Sequence, residues 1–208
     1  MAASSLERFT VPLGGNQSSG IQGLLMPKLK YRFRAFFLNF GAPGSATTEL
    51  TKQLMSFARP QVQMEPIEIP VYNSRVYIAG RPSWQVSQVV VRDDAGGNVS
   101  RIIGEQLQKQ FDFLEQASAS SAIDYKFTAS IEMLDGNNLA EGDPGVLEKW
   151  DLYGCFLSDV NYGDASYSEN DPMTITMSIR YDNAIQTVGA GVGTPGITRF
   201  NPAGGITG

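Results

Sequence analysis

Two stretches of the chain alternate apolar and polar residues with a period of two. Residues 125–134 (YKFTASIEML) place aromatic and aliphatic side chains on one side and Lys, Thr, Ser and Glu on the other. Residues 173–181 (MTITMSIRY) do the same, with two threonines, a serine and an arginine on the polar side. Alternation of this kind predicts β-strands with one face on a core and the other on water. Further strands are predicted over residues 29–40 and 147–160.

The strand over residues 29–40 differs between its two halves. The second half, AFFLNF, is apolar on both sides, so we expect other structure to cover both faces. The first half alternates aromatic residues with Lys30, Arg32 and Arg34. That interleaving is compatible with base stacking, but in so short a run and in an acidic protein we expect pairing at a subunit boundary.

Residues 65–94 form the longest β-prone segment of the chain. A run over residues 67–72 passes through the polar turn Asn73-Ser74-Arg75 into a second run over residues 76–79. Gly80 and Pro82 are expected to break the ladder there, because glycine weakens a strand and proline has no N–H to donate.

Trp84 is then expected to open a third strand that ends at the acidic pair Asp93 and Asp94. This third strand is predicted to belong to the barrel wall, and residues 67–80 to form a flap that reaches another subunit. Residues 41–61 are predicted to be a loop and a short segment of undetermined type.

Residues 98–118 carry the clearest helical pattern. Asp94 or Asn98 is positioned to cap the first turn, and the serine-rich run SASS is expected to end the helix. The apolar stripe, with a polar back, predicts a helix packed on the side of a barrel. The stripe consists of Val99, Ile102, Ile103, Leu107, Phe111 and Leu114.

These patterns add up to about six or seven strands, one helix and two polar arms. They predict a mainly β fold: a small antiparallel β-barrel or sandwich with one flanking α-helix and an extended hairpin. Residues 1–27 and the Gly-rich residues 187–208 are predicted to be flexible arms. The barrel domain is then residues 28–186.

Composition narrows the function classes. The chain has 208 residues, 42% of them hydrophobic, which is enough for a sizeable core in one domain. A net charge of −5 argues against a groove that grips nucleic acid by neutralising phosphates. No apolar run reaches the ~18 residues of a membrane span. The N-terminus lacks signal-peptide features, so we expect the protein to be made and kept in the cytoplasm.

Candidate chemistry is sparse. The sequence contains no histidine, so no Ser/His or Cys/His pair exists. The single cysteine, Cys155, lies in the apolar run LYGCFL and is expected to be a buried thiol, with a nucleophile as the alternative. Residues 135–138 (DGNN) have the wrong ligand spacing for a calcium loop. We therefore expect no catalytic residue, no metal and no cofactor.

Several motifs follow one another in a fixed order. IPVYNSRVYIAG precedes Trp84 and QVSQVVVRDD, the helix with GEQLQKQFDFLEQ follows, and then come DYKFTASIEMLDG, EKWDLYGCFLSDVNYG and MTITMSIRYDNAIQ. In both motif and order this resembles the tail tube proteins of contractile-tailed bacteriophages, and most closely those of myoviruses. The resemblance covers roughly residues 28–186. The two arms and an insertion at residues 41–52 depart from it.

The resemblance implies a β-barrel flanked by one helix, similar to the tube protein of type VI secretion. It implies hexameric rings that stack into a hollow tube inside a contractile sheath, with DNA ejected through the lumen and no chemistry catalysed. The implied partners are further copies of the chain, the sheath protein, baseplate and tail terminator proteins, and the tape measure protein and DNA in the lumen. The implied location is the virion tail, assembled in the host cytoplasm.

Two sets of candidate site residues accompany this interpretation. The flap is expected to make the ring-to-ring contact, with an ordinary hairpin packed on its own barrel as the alternative. Its residues are Val71, Tyr72, Asn73, Ser74, Arg75, Val76 and Tyr77. The polar sides of the two alternating strands are expected to line the lumen, with a solvent-exposed face of a monomer as the alternative. These are Lys126, Thr128, Ser130, Glu132, Thr174, Thr176, Ser178 and Arg180.

Lys126 and Arg180 lie on these faces and count against a purely acidic lumen. We expect them to pair with Glu132 or Asp182 across neighbouring strands. Two other functions stay open. One is a tube-initiating baseplate or tail-end protein of the same fold. The other is a ligand-binding β-barrel, which would need a roomy interior, whereas we expect large aromatic residues to fill it: Phe33, Phe37, Trp84, Tyr125, Phe127 and Trp150.

Overall fold

The computed structural model describes residues 28–44, 47–138, 144–168, 170–188, 192–193, 200–201 and 205–206. The chain divides into two compact units, residues 1–32 and residues 33–208. The predicted N-terminal arm, residues 1–27, lies outside the described residues, as does most of the predicted C-terminal arm. Whether both arms are flexible stays a prediction.

The elements of the described residues are, in chain order, β1 (Phe33–Leu38), α1 (Thr48–Lys52), β2 (Leu54–Phe57), β3 (Val62–Val71), β4 (Ser74–Trp84), β5 (Ser87–Arg92), α2 (Asn98–Gln110), β6 (Phe111–Asp112), β7 (Ala117–Ser118), α3 (Ala122–Tyr125), β8 (Phe127–Asn138), β9 (Pro144–Asn161), β10 (Thr174–Arg180), β11 (Asn183–Val188), β12 (Phe200–Asn201) and β13 (Gly205–Ile206).

Six antiparallel strands form the barrel wall in the order β1-β8-β9-β10-β5-β2. β11 adds to the same sheet through β9, and α1 lies beside β1 and α2. The predicted class, a mainly β antiparallel barrel or sandwich with a flanking helix, is confirmed. The short segment predicted without a type within residues 41–61 is α1 followed by β2.

The 18-residue strand β9 is shared by two halves of the sheet. Its first half pairs with β8 on one side and β11 on the other, and its second half, from Phe156 onward, pairs with β10. Gly154 lies between the halves with a φ of +66°, a backbone conformation that favours glycine. We call the sheet of β1, β8, β11 and the first half of β9 the first sheet. The second sheet comprises β2, β5, β10 and the second half of β9.

The core lies on the apolar side of the alternating strands, as their patterns predict. Apolar residues of β8 and β10 and the helix residues Val99, Ile102 and Ile103 belong to one buried cluster. Aromatic rings fill part of this space, with the centroids of Phe40 and Phe127 only 4.8 Å apart. The helix therefore closes the barrel through its apolar stripe, which the sequence predicts correctly over residues 99–107.

The predicted end of the helix is wrong. The helix begins at Asn98 as predicted, and Val99 N donates to the Asp94 carboxylate at 2.9 Å. It stops at Gln110 rather than at residue 118, because Phe111 is extended and pairs with Ser118 in the β6–β7 hairpin. The Asp112 carboxylate accepts from Leu114 N at 2.9 Å and thereby turns the chain.

The predictions for the flap region are partly wrong. The turn is Tyr72-Asn73. The ladder changes register at Gly80, but β4 continues through Gly80 and Pro82 as one strand. A two-stranded ladder tolerates both residues, because each strand has one edge that needs no donor. Trp84 ends β4 instead of opening the next strand, which starts at Ser87.

The first predicted strand is shorter and less covered than expected. It begins at Phe33, not at residue 29, and Tyr125 of the next predicted strand belongs to α3. Ala35 and Phe37 face the core, but Phe36 and Leu38 are exposed on the other face. The described residues of this chain therefore cover only one face of β1, not both as expected.

Candidate functional site

The hairpin formed by β3 and β4 is the most exposed element of the described fold. It forms a two-stranded sheet of its own and extends the β2–β5 pair beyond its end. Two backbone hydrogen bonds continue the pairing across the junction between that pair and the hairpin: one from Ala58 N to Gln88 O and one from Gln85 N to Gln61 O, each 2.8 Å. The ring of Trp84 lies 5.8 Å from that of Tyr181 at its base. The hairpin is thus anchored at its base and leaves the barrel at one end of the second sheet.

One face of the hairpin is largely aliphatic along its outer half, with one serine at the tip. The cross-strand pairs Ile67–Ile78 and Ile69–Val76 lie on this face, and Val71 follows at the tip. These five side chains are 40–54% exposed. Isolated exposed aliphatic residues are ordinary, but a contiguous row of them is typical of an interface. We refer to these five residues as the aliphatic face.

The opposite face of the hairpin is polar or proline-rich. Its pairs are Pro66–Ala79, Glu68–Tyr77 and Pro70–Arg75. Arg75 Nη1 lies 3.1 Å from the Glu68 carboxylate, with both side chains exposed. An exposed pair of this kind adds little stability. The two faces therefore differ in chemistry, although both are exposed.

Gly80 is needed where the hairpin changes register. The ladder shifts between Met64 and Pro66, and a Cβ on Gly80 would lie 2.4 Å from the backbone oxygen of Glu65. Any side chain at this position forces the two backbones apart. The glycine that the sequence marks as a break in the ladder lies at its register shift, where it lets the two strands stay close.

The seven residues predicted for the ring-to-ring contact all lie at the tip of the hairpin. Tyr72 is 99% exposed and has a φ of +50°, at the first position of a two-residue turn. Glycine is the usual residue at such a position, since a bulky residue is strained there. The structure brings these seven residues together at one exposed end. Their contact with another subunit stays a prediction.

The residues predicted to line the lumen lie on the outer faces of the two sheets. Lys126, Thr128, Ser130 and Glu132 belong to the first sheet or its entrance, and the four residues of β10 belong to the second. Ser130 and Glu132 are buried, each with 6% exposure. The first-sheet face is therefore not the smooth exposed strip that the sequence predicts, because charged neighbours cover part of it.

A row of charges crosses the first sheet. Arg34, Glu132 and Lys149 lie at paired positions on β1, β8 and β9. Arg34 Nε is 2.6 Å from Glu132 Oε2, and Lys149 Nζ is 3.6 Å from Glu132 Oε1. Lys149 Nζ is also 3.7 Å from the Asp151 carboxylate. The buried glutamate thus serves two cations, which offsets the cost of burying its charge.

Asp151 and Asp182 complete the charges on this face. Ser130 Oγ and Thr187 Oγ1 donate to the two oxygens of Asp151 at 2.5 and 3.0 Å. Lys126 Nζ donates to Asp182 Oδ2 at 2.5 Å. The predicted pairing of Lys126 with Asp182 is therefore observed, whereas Glu132 pairs with Arg34 and Lys149.

On the outer face of the second sheet, the positive charges are not matched by carboxylates in the same way. Thr174, Thr176 and Ser178 are half-buried, and Arg180 is exposed at the hairpin end of β10. Arg92, the partner of Thr174 on β5, is exposed at the opposite end. Within the described residues neither arginine has an ion pair with a carboxylate. The expected pairing of Arg180 is not seen.

Several residues of these surfaces are missed by sequence reasoning. Arg34, Lys149 and Asp151 come from strands whose alternation is imperfect, so their shared face shows only when the register is known. Gln106 is fully buried, where it accepts from Gly41 N and donates to Tyr125 O. Its i−3 and i−4 neighbours on the apolar stripe, Ile103 and Ile102, are the only sequence signal for that burial.

Cys155 is buried, as expected. Burial raises the pKa of Cys155 to about 12, with Asp182 adding to the effect. A thiol with that pKa stays protonated at neutral pH, and its Sγ donates to Leu152 O at 3.3 Å. Cys155 therefore acts as a small apolar core residue.

Comparisons with known proteins place the fold. No protein-family model and no curated protein matches the chain. Among solved structures it is similar to a chain of the anti-feeding prophage (AFP) baseplate, a 6-fold symmetrised cryo-EM structure, with a TM-score of 0.57 and 13% identity over 80% of this chain and 99% of that one.

Two further similar structures come from other parts of such assemblies. One is the AFP tube terminating cap, with a TM-score of 0.55 and 12% identity over 79% of this chain and 93% of the other. The other is the sheath-tube complex of an extracellular contractile injection system, PVC, in the extended state. Its TM-score is 0.53, with 13% identity over 78% of this chain and 92% of the other. At these identities the likeness shows the fold. The chain therefore has the fold found in baseplate, cap and sheath-tube structures of contractile injection systems.

In the part of the chain that the structure describes, no helix is long and apolar enough to cross a membrane. The same residues contain no group of three or more Asp, Glu or Cys side chains suited to holding a metal ion.

Proposed function

We propose that this chain is a structural subunit of the inner tube of a contractile phage tail. Its copies form hexameric rings, the rings stack, and the lumen conducts DNA into the host. The observation that carries the proposal is the hairpin β3–β4, whose aliphatic face has no cover among the described residues. The shared fold with tube-associated structures supports the same assignment, and 6-fold symmetry in one of them supports the ring size.

The hairpin makes the ring-to-ring contact in this proposal. It leaves the barrel at one end of the second sheet, while Arg92 and Thr174 lie at the other end. A contact between opposite ends of identical subunits is heterologous, so it repeats without closing and builds a filament. Burying a full aliphatic side chain contributes roughly 1.5–3 kcal/mol, so five half-exposed ones contribute on the order of 5 kcal/mol per subunit.

The outer sheet faces line the lumen in this proposal. DNA binds proteins mainly through neutralisation of phosphates, and each neutralised phosphate adds a salt-dependent attachment. On the first sheet, ion pairs within the chain occupy Arg34, Lys126 and Lys149. A conduit with such a wall guides DNA without retaining it, and the role requires no catalysis.

The further partners are those of a tail. A contractile sheath protein surrounds the tube, baseplate and tail terminator proteins bound its ends, and the tape measure protein and then DNA occupy its lumen. The subunit is assembled in the host cytoplasm and is located in the virion. The comparison structures that contain sheath, baseplate and cap support this set of partners.

Negative-stain electron microscopy of two matched hairpin variants tests the proposal. Ile67→Ser with Ile78→Ser removes one rung of the aliphatic face, and Pro66→Ser with Ala79→Ser removes the neighbouring rung on the opposite face. Wild-type protein is expected to form hollow tubes of six-membered rings. The first variant is expected to stay folded but unstacked, and the second to retain tubes.

A strictly monomeric wild-type protein at high concentration counts against the tube. Normal tubes from the Ile67→Ser/Ile78→Ser variant count against the hairpin contact. Arg75→Glu adds a second test at the tip: it replaces the ion pair with Glu68 by a like-charge pair and is expected to leave a folded subunit that polymerises poorly.

The second candidate is a minor tail protein of the same fold, at the baseplate or at the tail end. The similarity to baseplate and cap chains favours it specifically. Copy number in purified particles separates the two functions. A tube subunit is present in many rings, and a baseplate or cap protein in one or a few.

A further inference from the structure

The connection between β9 and β10 forms an open cleft of about 320 Å³ at one end of the second sheet. Its lining includes Gly163, Asp164, Ser166, Asp171, Pro172 and Met173. Gly163 has a φ of +76°, and a Cβ there would lie 2.8 Å from Thr174 O, so this glycine lets the connection turn back closely over the start of β10. The volume is close to the lower limit of small-molecule sites, so the cleft holds one side chain rather than a strand.

The cleft lies at the end of the second sheet that is opposite to the β3–β4 hairpin. β5 runs from Ser87, near the base of the hairpin, to Arg92, which pairs with Thr174 beside the cleft. The hairpin strand β3 has ten residues, so the tip lies roughly 30 Å beyond its base. Tip and cleft are therefore at opposite ends of one chain, and they meet only when two copies are in contact.

The cleft matches the side chain at the hairpin tip in chemistry. Tyr72 is 99% exposed there, and a phenol combines an apolar ring with one O–H donor. Pro172 and Met173 offer apolar surface to a ring, and Met173 is 48% exposed, so its thioether is accessible to an aromatic partner. The carboxylates of Asp164 and Asp171 offer acceptors to the O–H group.

The tip and the cleft also have opposite charges. Arg75 is the one charged residue in the sequence 71–77. Its Nη1 contacts Glu68, but a guanidinium has five N–H donors, so others are left for a second carboxylate. Asp164 and Asp171 are both exposed, and none of the ion pairs among the described residues involves either of them.

Carboxylates predominate around this end of the second sheet. Arg92 is exposed there, but Asp93 and Asp94 follow it, and Asp93 N donates to Met173 O at 3.0 Å. These two carboxylates and the two of the cleft exceed the single charge of Arg92. A tip with a positive charge is therefore attracted to this end of another copy.

From these features we infer that the cleft receives the hairpin tip of a second copy of this chain. Tyr72 occupies the cleft, and Arg75 lies against Asp164 and Asp171. The inference rests on the proposed function, in which the hairpin makes the ring-to-ring contact, and it names the surface of the next ring that accepts the tip. Because tip and cleft are different surfaces, the contact is heterologous and repeats along the tube.

Cysteine crosslinking of assembled protein tests the contact. The native Cys155 is buried and its pKa is raised to about 12, so it does not compete for the crosslinker. Asn73→Cys with Ser166→Cys places one thiol at the tip and one in the cleft while keeping Tyr72. A short bis-maleimide is expected to join these copies into a covalent ladder longer than one ring. The control, Asn73→Cys with Ser118→Cys, moves the second thiol to the exposed strand β7 and is expected to give no ladder.

The outcomes separate this inference from the proposed function. Tubes that form without a ladder overturn the inference and leave the tube function intact. A ladder that stops at the size of one ring also overturns it, because the tip then joins neighbours within a ring. Wild-type protein that forms no tubes refutes the proposed function and the contact together.

Charge exchange across the contact gives a second measurement. Arg75→Glu is expected to raise the protein concentration needed for tubes by roughly tenfold or more. Adding Asp164→Arg and Asp171→Arg restores opposite charges between tip and cleft and is expected to recover assembly. The control adds Glu115→Arg and Asp124→Arg to Arg75→Glu, so it has the same net charge, but both of its added arginines follow the other end of α2.

Thermal unfolding of each variant shows that it is folded before assembly is compared. No recovery in the folded triple variant of the cleft overturns the inference. Equal recovery in the control triple variant attributes the effect to net charge and overturns it as well.

Discussion

The barrel and the β3–β4 hairpin follow opposite rules within one chain. In the barrel, the apolar side of every long strand is covered, and Ile175, Met177 and Ile179 of β10 are fully buried. In the hairpin, every residue of β3 is exposed, and an aliphatic row lies along one face. In both regions, successive side chains point to opposite faces of the strand, so the sequence pattern has the same period of two. The apolar side of the barrel strands is covered inside the chain, whereas the aliphatic face of the hairpin stays exposed in the single chain.

This difference in burial predicts that the barrel determines folding stability and that the hairpin affects assembly. Barrel residues determine whether the subunit folds, because their apolar surface is buried on folding. The aliphatic face contributes little to folding, because its surface stays in water in the single chain. Substitutions in the two regions are therefore expected to change different measurements.

The largest effect is expected from truncating matched isoleucines. Ile175→Ala removes a fully buried side chain and is expected to lower the free energy of unfolding by about 2–5 kcal/mol. Ile78→Ala on the aliphatic face is expected to change it by less than about 0.5 kcal/mol. Urea unfolding of unassembled protein measures both. A similar loss of unfolding free energy in both variants would contradict this distinction, because it would show that the hairpin packs within its own subunit.

Matched glycines give the next largest effect. Gly154→Ala places a Cβ at positive φ and 2.2 Å from the Asp182 carboxylate, so it is expected to cost about 1–2 kcal/mol of folding stability. Gly80→Ala forces the hairpin strands apart against Glu65 O and is expected to reduce tube formation with little change in unfolding. Circular dichroism and electron microscopy of each variant check the two outcomes.

A smaller effect is expected at the start of α2, and it depends on pH. The hydrogen bond from Val99 N holds the pKa of Asp94 below its usual value of 3.8. Because the folded-state pKa is the lower one, the bond stabilises the fold above pH 3.8, and that contribution is lost as the pH falls through the folded pKa. Asp94→Ala is expected to lower the Tm by about 2–4 °C at pH 7.

The difference in Tm between wild type and Asp94→Ala is expected to stay constant from pH 7 to about 5 and to shrink below pH 3.8. A difference that persists unchanged at pH 3 contradicts the role of the charged carboxylate in the cap.

The smallest effect on folding is expected at the hairpin tip. Tyr72→Gly removes a bulky residue from positive φ, so the turn itself becomes less strained. We expect unchanged unfolding of the barrel but weaker assembly, since the exposed phenol is lost from the tip. Tyr72→Asn, which tolerates positive φ better than tyrosine, is the matched control for backbone strain. Improved assembly in both variants would assign Tyr72 no part in the contact.

Much of the barrel was predictable because local pattern and burial agree there. The alternation over residues 125–134 and 173–181 places Ile131 and Ile175 on the core side, where the structure has them. The end of α2 was not predictable from periodicity, since Phe111 continues the apolar spacing. The carboxylate of Asp112 turns the chain instead, and that competition between side chain and helix has no periodic signature.

The candidate surfaces were predictable in outline and not in detail. The flap is a hairpin whose tip contains the predicted residues. Gly80 marks the register shift of its ladder, but the strand continues through Pro82, because an exposed two-stranded ladder does not need the donor that proline lacks. The charge row on the first sheet depends on register between strands far apart in sequence. Arg34 and Glu132 are 98 residues apart, and sequence pattern does not specify such pairing.

The continuity of β9 has a mechanical consequence. One unbroken backbone of 18 residues joins the two sheets, so a pull along this strand on one sheet passes to the other through covalent bonds. Its hydrogen bonds to β8 and β10 then resist together in shear instead of opening one at a time. Gly154, at the junction between the halves, is the position where the strand bends while keeping that continuity.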